Sequence, residues 1–310
     1  MFKEVEINMN KVGIVSCDKW IGKIKEDINL KEALNDLNIS ADVISWQHPL
    51  NTNYDLLILR SAWGYHDDYK KFKEWLLYLK NNNILLLNNP DLILSNILKN
   101  KQFEILEQNG IEHIKTYFLK QSEFNTKNIL RVLNDLLNGQ PSVVKPTISG
   151  SGENTYLTNY QMNNKIPNTL SPSDIFNIFQ PVLKTNLDCE IMFQPYISEI
   201  NEGEYSCIFI DGKLTHTMLR FPAVFHEKKR PYLISDIPEA ILMLANKVEK
   251  VSEFSNYLYM RVDMVLVNNK AKIMEVELAE PDLLTKYIDD SQKQTEVIKT
   301  LAKGIERRIV

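Results

Sequence analysis

The stretch "RVDMVLVNNKAKIMEVEL" (residues 261–278) gathers the charge most able to do chemistry. It reads as a hairpin, with Arg261 and Asp263 on one strand and Glu275 and Glu277 on its partner. A two-residue spacing puts side chains on one face of a strand. Three carboxylates and an arginine therefore converge on one sheet surface. Burying that many like charges is costly unless a cation neutralises them. Oxygen ligands without histidine or cysteine favour Mg²⁺, which usually also takes phosphate oxygens from a substrate. The plainer alternative is a solvated sheet face with a cross-strand Arg–Asp pair. These residues alone leave both open.

Two further stretches carry candidates. In "FQPYISEINEGEYSCIFIDGKLTHTMLRFP" (residues 193–222), Gln194 to Ile197, Tyr196 included, end a strand. Glu204 opens the next strand, and Arg220 lies near the end of the one after. A carboxylate at Glu204 can accept hydrogen bonds from a ribose, and Arg220 can clamp a phosphate or carboxylate. Taken singly, each also fits an ordinary surface charge. "VVKPTISGSGENTYL" (residues 143–157) is a strand running into a loop with Lys145, Gly150, Gly152 and hydroxyls that include Ser149 and Ser151. By itself it suits a phosphate cradle or a simple turn.

The elements that must position these residues fall into three sections. "KVGIVSC", "ADVISW", "DLLILR" and "NILLLNN" are short apolar runs separated by helix-like stretches. In "DYKKFKEWLLYLKNN", Phe72, Trp75, Leu76 and Leu79 recur at helical spacing, and the lysines read as a solvated face. This alternation predicts a parallel sheet covered by helices over residues 1–90. Such sheets bind ligands at the carboxyl ends of their strands, where Arg60 sits. A helix is expected over Ser95–Asn109, with Gly110 as its stop. Another is expected over Glu123–Leu137, followed by the strand "PSVVKP". The polar run "TNYQMNNKIPNTLSPSD" reads as an exposed linker or mobile flap. From Glu190 onward strands dominate, with hairpin signals at Asp211-Gly212 and Asn268-Asn269. The domain boundaries expected are 1–90, 91–195 and 196–310.

The 310 residues are 44% hydrophobic and 25% charged, as in ordinary globular proteins. A formal net charge of −4 gives no basic field for nucleic acid. Cys17, Cys189 and Cys207 are far apart and lack metal-ligand spacing, which suggests buried thiols in a reducing compartment. The N-terminus does not read as a signal peptide, and no apolar run reaches membrane-spanning length. A cytoplasmic protein without a membrane partner is expected.

The order Lys101, "VVKPTISGSG", "QPYI…EGEYS", Arg220, "RVD", "MEVE" resembles the ATP-grasp enzymes over residues 95–282. The N-terminal "LLILRSAWGYHDDYKKFKEWL" resembles the subgroup that includes the ligase of D-cycloserine biosynthesis and related glutathione-synthetase-like proteins. The resemblance implies an α/β and α+β chain: an N-terminal parallel α/β domain that binds substrate, then two α+β subdomains sandwiching ATP. It implies that Lys145 and Lys101 contact the phosphates, with Lys99 the alternative because the spacing in "NILKNKQF" is ambiguous by two residues. Ser149, Gly150, Ser151 and Gly152 would close over the phosphates. Gln194, Tyr196 and Ile197 match the segment that holds adenine, and Glu204 matches the ribose carboxylate. Asp263, Glu275 and Glu277 match the Mg²⁺ ligands, with Mn²⁺ an alternative ion. Arg220 and Arg261 match arginines that steady the transferring phosphoryl group.

Two departures stand out. The third metal ligand is often Asn in this superfamily and is Glu277 here, while Glu280 in "ELAEP" could add a further carboxylate. The segment after Arg220, "FPAVFHEKKRPYLI", lacks the Gly-Asp-Phe-Arg type sequence of the subgroup, so substrate identity does not carry over.

The implied reaction activates a small amino-acid-like carboxylate as an acyl phosphate and joins it to an amine, as in specialised-metabolite or peptide biosynthesis. ADP and phosphate are released. Such chemistry rests on positioning and charge neutralisation and needs no protein nucleophile. Arg60, Ser61, Trp63 and Tyr65 are candidates for gripping substrate, and Trp63 and Tyr65 fit core packing equally well. His66, His216 and His226 are weaker candidates as proton carriers. A small-molecule kinase or a nucleotide-binding protein without turnover would share the nucleotide site. Related ligases are commonly dimers or tetramers.

Overall fold

Three sheets joined by helices make up the described residues. The computed structural model describes residues 10–150, 152–158, 170–221 and 229–309. The first sheet is built from β1 (Lys11–Ser16), α1 (Lys25–Asn35), β2 (Ser40–Ser45), β3 (Leu56–Ser61), α2 (Tyr69–Asn81) and β4 (Leu86–Leu87). Its strands are parallel in the order β2-β1-β3-β4. β3 is buried along its whole length, as expected for a continuous apolar run covered on both faces. α2 turns Phe72, Leu76 and Leu79 inward, with Asp68 capping its first turn. The expected strand "NILLLNN" shrinks to two paired residues.

The helix expected over Ser95–Asn109 is two helices, α3 (Pro90–Ile97) and α4 (Lys99–Gln108). Leu98 between them has φ −80° and ψ 94°, an extended conformation that breaks the run. Gly110, at φ 59°, supplies the expected left-handed stop.

The middle sheet comprises β5 (Tyr117–Leu119), β6 (Ser142–Pro146), β7 (Tyr156–Thr158) and β8 (Ile191–Pro195). It is antiparallel in the order β5-β8-β6-β7. α5 (Thr126–Arg131) and α6 (Pro172–Thr185) belong to this section, and Ser171 and Asp174 form a capping box on α6. Most of the expected flap, residues 159–169, lies outside the described residues.

The last sheet holds β9 (Glu204–Ile210), β10 (Lys213–Arg220), β11 (Tyr232–Leu233), β12 (Tyr259–Val267) and β13 (Lys270–Glu277), with α7 (Glu239–Glu249) and α8 (Ser291–Glu306). The order is β11-β10-β9-β12-β13, antiparallel throughout. Both hairpin signals are turns: Asp211, Gly212, Asn268 and Asn269 all have positive φ.

β13 is an edge strand, and side chains from α3 and α4 satisfy its outer backbone. Gln102 accepts from Val276 N (2.8 Å) and donates to Val276 O (2.6 Å). Asn96 accepts from Leu278 N (2.8 Å) and donates to Val276 O (2.7 Å). Buried Asn88, just past β4, bonds Leu258 N, Tyr259 O and Leu278 O. These amides stand in for a neighbouring strand and fix the acidic hairpin against the N-terminal section. α1 and α8 share a core with β1 and β3 through Leu30, Leu34, Ile58, Leu301 and Ile305. All three cysteines are free and buried.

Candidate functional site

The hairpin register pairs Arg261 with Glu277 and Asp263 with Glu275, so the four side chains share one face. That face is not solvated. Asp263 has no exposed surface. Its Oδ1 accepts from Ser206 Oγ (2.6 Å) and from Arg261 Nε (3.0 Å). Its Oδ2 accepts from Arg220 Nη2 (2.5 Å) and Arg261 Nη2 (3.0 Å). Arg261 also pairs with Glu277 (2.7 Å), Arg220 with Glu204 (2.9 Å), and Lys99 with Glu275 (3.1 Å). The like charges are thus interleaved with cations from three different elements, α4, β10 and β12.

Burial raises every carboxyl here, and the neighbours decide the sign. At Asp263 burial is outweighed by Arg220 and Arg261, which hold it below the usual carboxylate range. At Glu275 burial is outweighed by Lys99 and Lys145. At Glu277 burial prevails over Arg261, and at Glu204 it prevails over Arg220, pushing that carboxyl to about 7. Burial also lowers Lys145. At Glu280 burial and the nearby Glu277 outweigh Arg261, Arg60 and Lys99 and push it well above the ordinary range.

A cavity of about 550 Å³ opens over this network. One end is formed by Lys99, Ser149, Gly150, Gly152 and Glu275. Lys99 Nζ donates to Ser149 O at 2.9 Å, so α4 holds the glycine loop from below. A Cβ on Gly150 would stand 3.4 Å from the His66 ring, and His66 Nε2 lies 2.9 Å from Glu153 Oε2. The loop is therefore tied to the turn that follows β3. Arg220, Arg261 and Glu277 line the cavity too. So do Trp20, Trp63, Glu280, Asp282, Lys286 and Tyr287. Trp20 follows β1 and Trp63 follows β3. The sheet order reverses direction between those two strands, the crevice where open parallel sheets take ligands. A separate depression runs along the exposed face of α8 and draws its lining from that helix alone.

Several expected residues meet in the cavity: Ser149, Gly150, Gly152, Arg220, Arg261, Glu275, Glu277, Trp63 and Tyr65. Lys145 does not line it, but it sits close enough to interact with Glu275, Glu277 and Glu204. Lys101 is a correction. It pairs with Glu104 on an exposed helix face, and Lys99 occupies the cavity instead. Arg60 and Ser61 are corrections as well. Arg60 is fully buried, bonding Glu26 Oε2 (3.1 Å) and Pro281 O (3.2 Å), with its guanidinium 4.8 Å from the Tyr259 ring centre. Ser61 bonds Ser16 and Asp27. Both lie at the end of a strand covered on both faces, so α1 and the 281–285 segment enclose them. Gln194 is buried and donates to Thr116 Oγ1, Tyr196 N donates to Pro141 O, and neither they nor Ile197 line the described cavity. Asp263 and Glu204 lie behind the cavity wall. His216 is buried with Nε2 2.8 Å from Leu283 O, a structural position. Ser151 and His226 lie outside the described residues.

Sequence reasoning passed over Trp20, Asn96, Asp282, Lys286 and Tyr287. The last three lie close downstream of the acidic hairpin and could have been found by extending it. Trp20 carries no local signal.

Residues 12–88 match a family model described as the N-terminal domain of the D-cycloserine synthetase DcsG. No curated protein matches the chain in sequence. Among solved structures, the D-cycloserine synthetase DcsG superposes with a TM-score of 0.80 at 17% identity, covering 97% of this chain and 100% of that one. A RimK domain ATP-grasp protein from Sphaerobacter thermophilus DSM 20745 gives 0.65 at 12% identity, covering 95% and 98%. The D-alanine–D-alanine ligase from Bacillus anthracis complexed with ATP gives 0.64 at 17%, covering 97% and 98%. The fold is that of the ATP-grasp ligases. Among the described residues, no helix is long and apolar enough to cross a membrane.

Proposed function

We propose that this protein is an ATP-dependent carboxylate–amine ligase, releasing ADP and phosphate, with ATP phosphates held at the Lys99 end of the cavity. The observation that carries the reading is the joining, in one cavity, of a lysine-supported glycine loop with Glu275, Glu277, Arg220 and Arg261. Lys99 and Lys145 supply positive charge for the phosphates. Gly150 and Gly152 let the loop backbone approach them closely. The middle and last sheets flank the nucleotide as two subdomains, with the 1–90 section contributing the substrate side. Gln194, Tyr196 and Ile197 hold adenine mainly by backbone groups, and Glu204 takes the ribose.

The donor set fits a divalent ion. Glu275 and Glu277 face the cavity with hard oxygen atoms, and no thiol is among the described residues that line it. They would hold Mg²⁺ or Mn²⁺, with Asp263 as a third carboxylate when its arginines turn to phosphate oxygens. An ion held there would supply charge neutralisation to the transferring phosphoryl group. Arg220 and Arg261 steady that group and the substrate carboxylate that attacks it. Attack gives an acyl phosphate, which an amine then displaces. An acyl phosphate is lost if water reaches it, and the contact from His66 to Glu153 holds the glycine loop over the cavity.

The test is incubation with ATP, Mg²⁺ and a panel of amino acids and amines, measuring ADP, phosphate and product mass. ADP with free phosphate and a condensed product supports the ligase. A stable phosphorylated substrate would mark a kinase, and ATP binding without turnover across the panel a binding protein.

A further inference from the structure

Among the described residues that line the cavity, His66 is the only histidine. Its side chain is 10% exposed, and its two nitrogens have different surroundings. Nε2 lies 2.9 Å from Glu153 Oε2 and 3.8 Å from Asp67 Oδ1. An ionised carboxylate only accepts, so Nε2 carries the proton and the neutral ring keeps its lone pair on Nδ1. Nδ1 is buried and has no hydrogen-bond partner among the described residues. Gly150 faces it without a side chain, and even a Cβ there would stand 3.4 Å away. The Tyr65 ring packs edge to face against the imidazole, ring centres 5.8 Å apart. A ring oriented by a carboxylate at one nitrogen, with the other left as an acceptor, is the arrangement of a general base. His66 comes from the turn after β3 and Glu153 from the glycine loop, so the pair is complete only with the loop in this position.

In the proposed reaction the attacking amine must lose a proton, and no residue assigned so far takes it. We infer that His66, oriented by Glu153, is the general base that deprotonates the amine before it attacks the acyl phosphate. A primary amine arrives as an ammonium ion, without a lone pair for the attack. Nδ1 takes one proton, and the freed lone pair attacks the acyl carbon. The C–N bond forms and the C–O bond to phosphate breaks. The second N–H proton leaves with the phosphate, and the amide keeps the third. Glu153 and Asp67 face the charge that the ring gains. Both reach solvent and give the proton a way out.

The inference rests on the ligase reading, and the experiment separates the two. If the panel of amino acids and amines yields no condensed product, it is the ligase reading that fails. With a pair that reacts, kcat/KM for the amine is compared with kcat/KM for hydroxylamine in the full chain with ATP and Mg²⁺. Hydroxylamine is largely unprotonated at neutral pH, so it captures an acyl phosphate as the hydroxamate without a base. His66→Gln should lower the amine value about 100-fold or more, the usual worth of a general base, and the hydroxylamine value by less than about threefold. Glu153→Gln should lower the amine value about tenfold with the same selectivity, by loss of the orienting bond. It keeps the test open should His66→Gln fail to fold. A pair that merely latched the loop would slow both nucleophiles alike, because the acyl phosphate would be lost to water. The inference is overturned if both variants use the amine as the wild type does, or if they slow both nucleophiles equally. It is overturned too if Glu280→Gln, and not His66→Gln, shows the selective loss.

Discussion

Replacing Lys99 with Met tests the site where the structure and the simplest motif alignment part company. Lys99 is 7% exposed at its side chain, and its Nζ lies 3.1 Å from Glu275 Oε1 and 2.9 Å from Ser149 O. At an effective dielectric near 20, that pair attracts by about 5 kcal/mol before desolvation is counted. Removing one partner of a buried pair leaves the other uncompensated, which typically costs about 3–5 kcal/mol. Lys145 also interacts with Glu275, so the lower end applies. For a chain of this size, about 3 kcal/mol lowers Tm by on the order of 5 °C. Lys99→Met should therefore melt earlier and bind ATP about 10- to 100-fold more weakly, from the loss of one charge-assisted phosphate contact of about 1.5–3 kcal/mol. Adding Glu275→Gln should restore much of the Tm without restoring nucleotide affinity. Lys101→Met, which removes an exposed pair with Glu104, should change stability by less than about 1 kcal/mol and leave ATP binding intact. Thermal melts and ATP titrations of the four proteins decide the matter. If Lys101→Met loses nucleotide while Lys99→Met does not, the assignment of the phosphate lysine is refuted.

Three other outcomes are expected. Burial raises Asp27 from 3.8 to about 6, so its contribution to stability is present below the ordinary carboxylate range and lost as pH rises through 6. Asp27→Asn should raise Tm at pH 8, by at most about 3 kcal/mol of stability, and give no gain at pH 4; a lower Tm at pH 8 would contradict the account. Burial lowers His216 from 6.5 to about 4, so its contribution is present above pH 6.5 and lost as pH falls through 4. His216→Gln should flatten the fall in Tm over that window, and an unchanged acid limb would rule His216 out as its source. Gly203 has φ 122°, and a Cβ there would lie 2.7 Å from Leu219 side-chain atoms. Gly203→Ala should cost about 1–3 kcal/mol in a urea melt, and no loss would mean that the turn before β9 relaxes freely.

Much of this arrangement was legible along the chain because it depends on short-range periodicity. Alternation places Arg261 and Asp263 on one face of a strand, and two consecutive asparagines able to adopt positive φ make the turn that brings Glu275 and Glu277 opposite. The parallel N-terminal sheet follows in the same way from apolar runs alternating with amphipathic helices. What periodicity cannot supply is rotation about a helix or the depth at which a strand ends. Two residues on an α-helix are about 200° apart, so once Leu98 starts a new helix, Lys99 faces the cavity and Lys101 faces solvent. Arg60 ends a strand, as its sequence indicates, but α1 and the segment after Glu280 cover that end. Glu280 gains its meaning from strands far away in sequence. It lines the cavity with Trp20 and Trp63, which follow the ends of β1 and β3, and Trp63 Nε1 donates to its backbone oxygen. The chain's local chemistry determined which charges share a face; tertiary packing decided which of them line the cavity and which lie buried behind it.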